Sequence, residues 1–95
     1  MVIGSARIVL ALHGVRSLKE KRKIVHGVRD RVKSRFNVAV AEVDDLDLHQ
    51  RATLGVAVVS NEAAHADSQL QTVIRFIEES VTVAAVDVEL LSRWS

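Results

Sequence analysis

Residues 16–36, RSLKEKRKIVHGVRDRVKSRF, constrain the fold of this chain more than any other stretch. At 100° per residue, Leu18, Val25, Val28, Val32 and Phe36 fall in a stripe about 80° wide with Ile24 at its border, the pattern of an α-helix laid on a core. Ser17 followed three residues later by Glu20 is a capping box, which predicts that the helix starts at Leu18. The same stretch carries nine of the thirteen Lys and Arg residues against only Glu20 and Asp30, a net charge of +7. The rest of the chain holds four cations and ten anions, so a total of +1 conceals a strongly polarised molecule. Such polarity points to an anionic partner.

Lys21 is the exception on this helix, because its angle places it under the apolar stripe in the first turn, where the helix dipole disfavours a cation. The expectation is a snorkelling stem with its ammonium in water. The sharper alternative is an anion site formed by Lys21, Arg16 and the free amides at the helix start.

Elsewhere the periodicity is that of strands. In residues 2–12, Gly4, Ala6, Ile8, Leu10 and Leu12 share one side and Ile3, Ser5, Arg7, Val9 and Ala11 the other. Residues 37–43 (NVAVAEV) and 52–59 (ATLGVAVV) predict a second and third strand, joined by the polar loop DDLDLHQR at 44–51. Ser60 or Asn61 can cap a second helix over residues 62–79, with Ala63, Ala66, Leu70, Val73, Ile74 and Ile77 on its core side. Residues 81–91 predict a fourth strand, and residues 92–95 a loose tail. The order strand, helix, strand, strand, helix, strand is that of two split βαβ units: an α+β, ferredoxin-like βαββαβ domain over residues 1–95, with a four-stranded antiparallel sheet and two helices on one face.

Ninety-five residues suffice for one core and not for two. There is no apolar run of eighteen residues and no leader pattern, so the expectation is a cytoplasmic protein outside the membrane. Zero cysteines exclude disulfides, thiolate metal sites and thiol catalysis.

The sheet face without helices bears on function. Ferredoxin-like RNA readers stack bases on aromatics of their first and third strands. The aromatics here are Phe36, Phe76 and Trp94, and none falls on those strands. Nucleic-acid contact therefore passes to the basic helix, with Arg16, Lys19, Arg22, Lys23, Arg29 and Lys33 as the phosphate-facing cations. Val9, Ala11, Gly55, Ala57 and Val59 give the open face small and apolar residues, the surface expected to join two copies as a homodimer.

The blocks RSLKEKR (16–22), RFNVAVAEVD (35–44) and QRATLGVAVVSN (50–61) together resemble the YlxP-like family of small bacterial proteins, a domain of unknown function, over most of the chain. Members look ferredoxin-like and tend to be encoded beside transcription-elongation, translation-initiation and ribosome-maturation factors. The resemblance implies a bacterial protein near the RNA machinery, and it implies no reaction. Many members carry an aromatic before the Gln-Arg pair where this chain has His49.

Other candidates are weaker. Glu42, Asp44, Asp45, Asp47 and His49 form an acidic cluster without the glycine or the ordered spacing of an EF-hand loop, and it reads as a solvated hairpin. His13, His26, His49 and His65 contain no i, i+4 pair, so no metal site is expected, and no cofactor motif is present. His13 and Arg16 flank Gly14 at the first strand-to-helix loop, where small ferredoxin-like phosphatases bind phosphate. By fold analogy alone this supports an alternative, a phosphoester or acyl-phosphate hydrolase. A second alternative is a structural dimerisation module without a nucleic-acid partner. The expected function is that of a non-catalytic accessory protein contacting RNA or a ribosomal particle.

Overall fold

A computed structural model describes residues 1–93. Its elements are β1 (Val2–Ala11), α1 (Leu18–Arg35), β2 (Ala39–Asp44), β3 (Arg51–Ser60), α2 (Ala63–Glu78) and β4 (Thr82–Ser92). The sheet order is β2-β3-β1-β4, with every neighbouring pair antiparallel. This is the ferredoxin-like βαββαβ arrangement.

The alternation in β1 holds through Arg7 and breaks at Val9, which belongs to the open face yet is buried. Gly4, Ala6, Ile8 and Leu10 lie under the helices, and Ser5 and Arg7 face outward. The register Ala6↔Val56, Ile8↔Leu54 and Leu10↔Ala52 makes Ala52, Leu54, Val56 and Val58 the helix-facing set of β3, all of them buried. Onto this floor α1 lays Val25, Val28 and Val32, and α2 lays Ala66, Leu70, Val73, Ile74 and Ile77. Each fully buried valine or leucine contributes about 1.5–3 kcal/mol relative to an exposed one. Ala63, expected in the core, is exposed on the first turn of α2.

Phe36 and Phe76 close the far end of the helix pair edge to face, with ring centroids 5.4 Å apart. The Ser17 hydroxyl accepts from the Glu20 amide at 3.1 Å, as the capping box requires. Glu20 reaches one residue further back than expected, accepting from the Arg16 amide at 3.3 Å. At α2 neither Ser60 nor Asn61 is the cap: Glu62 holds the N-cap position with no side-chain cap bond, and Ser60 accepts from the Glu62 amide at 3.2 Å ahead of the helix.

The end of the chain is tighter than a loose tail through Arg93. Ser92 belongs to β4, and the Arg93 amide donates to the Met1 carbonyl at 2.9 Å. The remainder of the expected tail, Trp94 and Ser95, lies outside the described residues. No helix of the described residues is long and apolar enough to cross a membrane.

Candidate nucleic-acid interface

Because α1 spends its apolar stripe on the core, its remaining circumference is given to charge. Lys19, Arg22, Lys23, Arg29 and Lys33 share an outward strip about 120° wide and about 20 Å long, with His26 and Asp30 inside it. Arg16 extends the strip just ahead of the helix. Arg16, Lys19, Arg22, Lys23 and Lys33 are exposed, and no described carboxylate lies within 4.0 Å of any of their charged groups. Arg29 differs: it is half-buried, and its Nε lies 3.0 Å from Asp30 Oδ1. A surface pair of this kind is worth at most about 1 kcal/mol and can be traded for a phosphate.

The other cations of the helix are held by the protein itself. Arg31 donates to the Ser80 hydroxyl at 3.3 Å, and Arg35 lies over the Phe76 ring, 5.1 Å from its centroid. Both tie α1 to the α2 region.

Lys21 matches neither expectation. Its side chain is 0% exposed, so the ammonium does not snorkel. It lies 3.0 Å from Glu42 Oε2 and donates to the Asp45 carbonyl. An ammonium already paired with a carboxylate of the same chain has no charge left for an external anion. Arg16 loses its expected partner, and its amide is occupied by Glu20. The anion site of Arg16 and Lys21 is therefore not assembled in this structure.

Sequence held a signal for the pair. A lysine at a core angle needs a carboxylate, and Glu42 has the same strand parity as buried Val40. In the register of β2 against β3, Glu42 sits opposite helix-facing Leu54, so its side chain points toward α1.

The acidic loop also differs from a solvated hairpin. Asp45 adopts a left-handed backbone at φ 60°, which aspartate tolerates. Its Oδ2 accepts from the Thr53 hydroxyl at 2.6 Å and from Arg51 Nε at 3.0 Å. The Thr53 hydrogen bond, followed by the nearby charge of Arg51, holds the Asp45 carboxyl below the usual aspartate value. Asp44 pairs with Arg7 at 2.9 Å. Glu42, Asp44 and Asp45 of the acidic cluster are thus engaged internally, and no group of three ligating side chains converges among the described residues.

On the open face, β1 and β3 present Ser5, Arg7, Gly55 and Ala57, so no aromatic platform exists there. Gly55 has a specific reason: an irregularity in β2 between Glu42 and Asp44 brings Val43 over it. A Cβ at Gly55 would lie 2.8 Å from Val43 Cγ1.

The family model for DUF503, a protein of unknown function, matches residues 3–90. The chain belongs to the DUF503 family. Over 77 residues it is 35% identical to the uncharacterised protein YlxP of Bacillus subtilis (strain 168), covering 81% of this chain and 84% of that one. The fold of this DUF503 chain is similar to that of a de novo designed protein with ferredoxin fold, solved by solution NMR. The TM-score is 0.57 at 20% identity, covering 100% of this chain and 92% of the designed one. That likeness bears on the fold alone.

Proposed function

We propose that this protein is a non-catalytic accessory factor that contacts RNA or a ribonucleoprotein particle through the outward strip of α1. The observation that carries this reading is the freedom of Arg16, Lys19, Arg22, Lys23 and Lys33 from the acidic residues of their own described chain. Ten of the twelve acids lie outside residues 16–36, yet the ion pairs they make there reach only Lys21 of this stretch. The gene context of the family it resembles favours ribosome maturation or translation as the setting.

A rigid row of cations on one helix suits a phosphate backbone, which fixes position and charge and carries little sequence information. The absence of aromatics on β1 and β3 agrees with contact that is nearly indifferent to base identity. For the hydrolase alternative, at the first strand-to-helix loop the Arg16 amide is already bonded to Glu20.

The test is co-sedimentation with ribosomal subunits and with bulk RNA over a salt titration. Wild type pellets with the particles at low salt, and a variant with Lys19, Arg22, Lys23 and Lys33 all changed to Glu stays in solution while keeping its circular dichroism. Equal pelleting of both proteins would favour a dimerisation module without a nucleic-acid partner.

A further inference from the structure

The sheet ends on β4, an eleven-residue strand paired on one side with β1 and open on the other among the described residues. The Arg93 amide bonds to the Met1 carbonyl, and β4 is in register with β1 from Ala85↔Val9 to Ser92↔Val2. In an antiparallel pair the bonded residues alternate, so Ala85, Asp87, Glu89 and Leu91 turn their amides toward β1. Val86, Val88, Leu90 and Ser92 then direct their N–H and C=O groups outward, an unpaired ladder of the kind that templates another strand.

The side chains along this edge are also unfinished. Val86, Val88 and Leu90 lie on the helix side of the sheet, yet each is more than a third exposed, and Leu91 on the other face is 41% exposed. The opposite edge, β2, has six residues and is interrupted between Glu42 and Asp44, which blunts it as a template.

We propose that β4 pairs antiparallel with β4 of a second copy about a two-fold axis at Leu90, making a continuous eight-stranded sheet. Charge selects this register. Pairing Leu90 with Leu90 sets Asp87 opposite the partner copy's arginine 93, and Arg93 opposite the partner copy's aspartate 87, on the open face. Neither Asp87 nor Arg93 has an ion-pair partner among the described residues. Moving the axis to Val88 sets Asp87 opposite Glu89 twice, which like-charge repulsion opposes. Moving it to Val86 runs the pairing into the irregularity of β4 between Val83 and Ala85.

The same axis covers Leu90 with its own copy, and keeps both helix layers on one side of the joined sheet. It also leaves the open face uncovered, in contrast to the dimer expected across that face. Stacking two open faces would bury Asp87, Glu89 and the Arg7–Asp44 pair, a desolvation cost set against the burial of Val43, Val59 and Leu91, whereas the edge pairing leaves these charges at the surface. The strip of α1 and the β4 edge belong to different elements, so this assembly does not depend on RNA binding.

The experiment is sedimentation equilibrium on the wild-type chain and on Asp87→Arg and Arg93→Asp, alone and mixed. Wild type sediments at twice the monomer mass. Each single variant replaces two opposite-charge pairs by two like-charge pairs and associates roughly tenfold more weakly or worse. Mixing the two variants restores the dimer as a heterodimer, because both opposite-charge pairs are then re-formed, one with its signs exchanged and one as in the wild type. Hydrogen exchange of the wild-type chain adds a readout that needs no variant: the amides of Val88 and Leu90 become protected as concentration rises through the dimerisation range. A monomer at all concentrations, or a dimer indifferent to both charge reversals, overturns the proposal.

Discussion

The ammonium of Lys21 lies 3.0 Å from Glu42 Oε2, and the lysine is wholly out of contact with solvent. The pair joins α1 to the β2 edge at the end where the β2–β3 loop begins, and Lys21 also holds that loop through the Asp45 carbonyl. A cation in a core costs several kcal/mol of desolvation unless it is paired. The pair therefore locks helix and hairpin into one relative position, and it is a safer guide to local rigidity than to net stability.

Removing one partner exposes that cost. Glu42→Gln leaves a buried ammonium without its counter-charge and should lower unfolding stability by about 3–5 kcal/mol. Adding Lys21→Met, which keeps the stem and removes the charge, should recover most of the loss. Urea denaturation of the three variants measures both effects, and a double variant no better than Glu42→Gln would show that the two residues are not coupled.

Acid should weaken the β2–β3 hairpin through Asp45. Its carboxyl titrates lower in the folded chain than in the unfolded one, with the Thr53 hydrogen bond as the main cause. The associated stability is present above the unfolded pKa of about 3.9 and disappears as pH falls through the lower folded value. Asp45→Asn should therefore melt below wild type at neutral pH, and the gap should narrow as pH falls below about 4. Thermal melts at pH 7 and pH 3 test the sign.

Salt dependence should report how many phosphates the strip of α1 engages. Six cations on single-stranded RNA correspond to a slope of about −4 in a plot of log affinity against log salt. Substituting Lys23 or Lys33 alone by Ala should reduce its magnitude by roughly one contact's share, across RNAs of different sequence alike. Lys21→Met should leave the slope unchanged, because its ammonium is committed to Glu42. Filter binding at several salt concentrations distinguishes these outcomes.

Gly55 offers a change of sign. Its added Cβ would press on Val43 Cγ1 at 2.8 Å, so Gly55→Ala should destabilise wild type by about 1 kcal/mol, the low end of overpacking because Val43 is half exposed. In a Val43→Ala background the obstruction is gone, and the same substitution should stabilise by about 0.5–1 kcal/mol through the restored strand preference. A double-mutant cycle by chemical denaturation gives the coupling directly.

Much of this molecule is legible along the chain. The i, i+3, i+4 spacing of Val25, Val28 and Val32 with the Ser17 cap, and the alternation through Ala6, Ile8 and Leu10, depend on neighbours within a turn or along one strand. Such local rules suffice for helices and strands, and their order suffices for the βαββαβ architecture. The outward cations were equally legible, because an amphipathic helix that buries its valines has nowhere else to put Lys19, Arg22, Lys23 and Lys33.

What required the tertiary structure was every relationship between residues far apart in sequence. Lys21 finds Glu42 across twenty-one positions, Arg7 finds Asp44 across thirty-seven, and Val43 covers Gly55 only because β2 shifts register beside it. Helix periodicity says which face a side chain occupies, and strand register says what stands opposite it. The physical reason is that a charge's fate depends on the distance and burial of its partner, and those are set by how α1 seats on the sheet. Sequence alone determined the elements and the free cations of α1, and packing alone decided which of its cations the protein neutralises for itself.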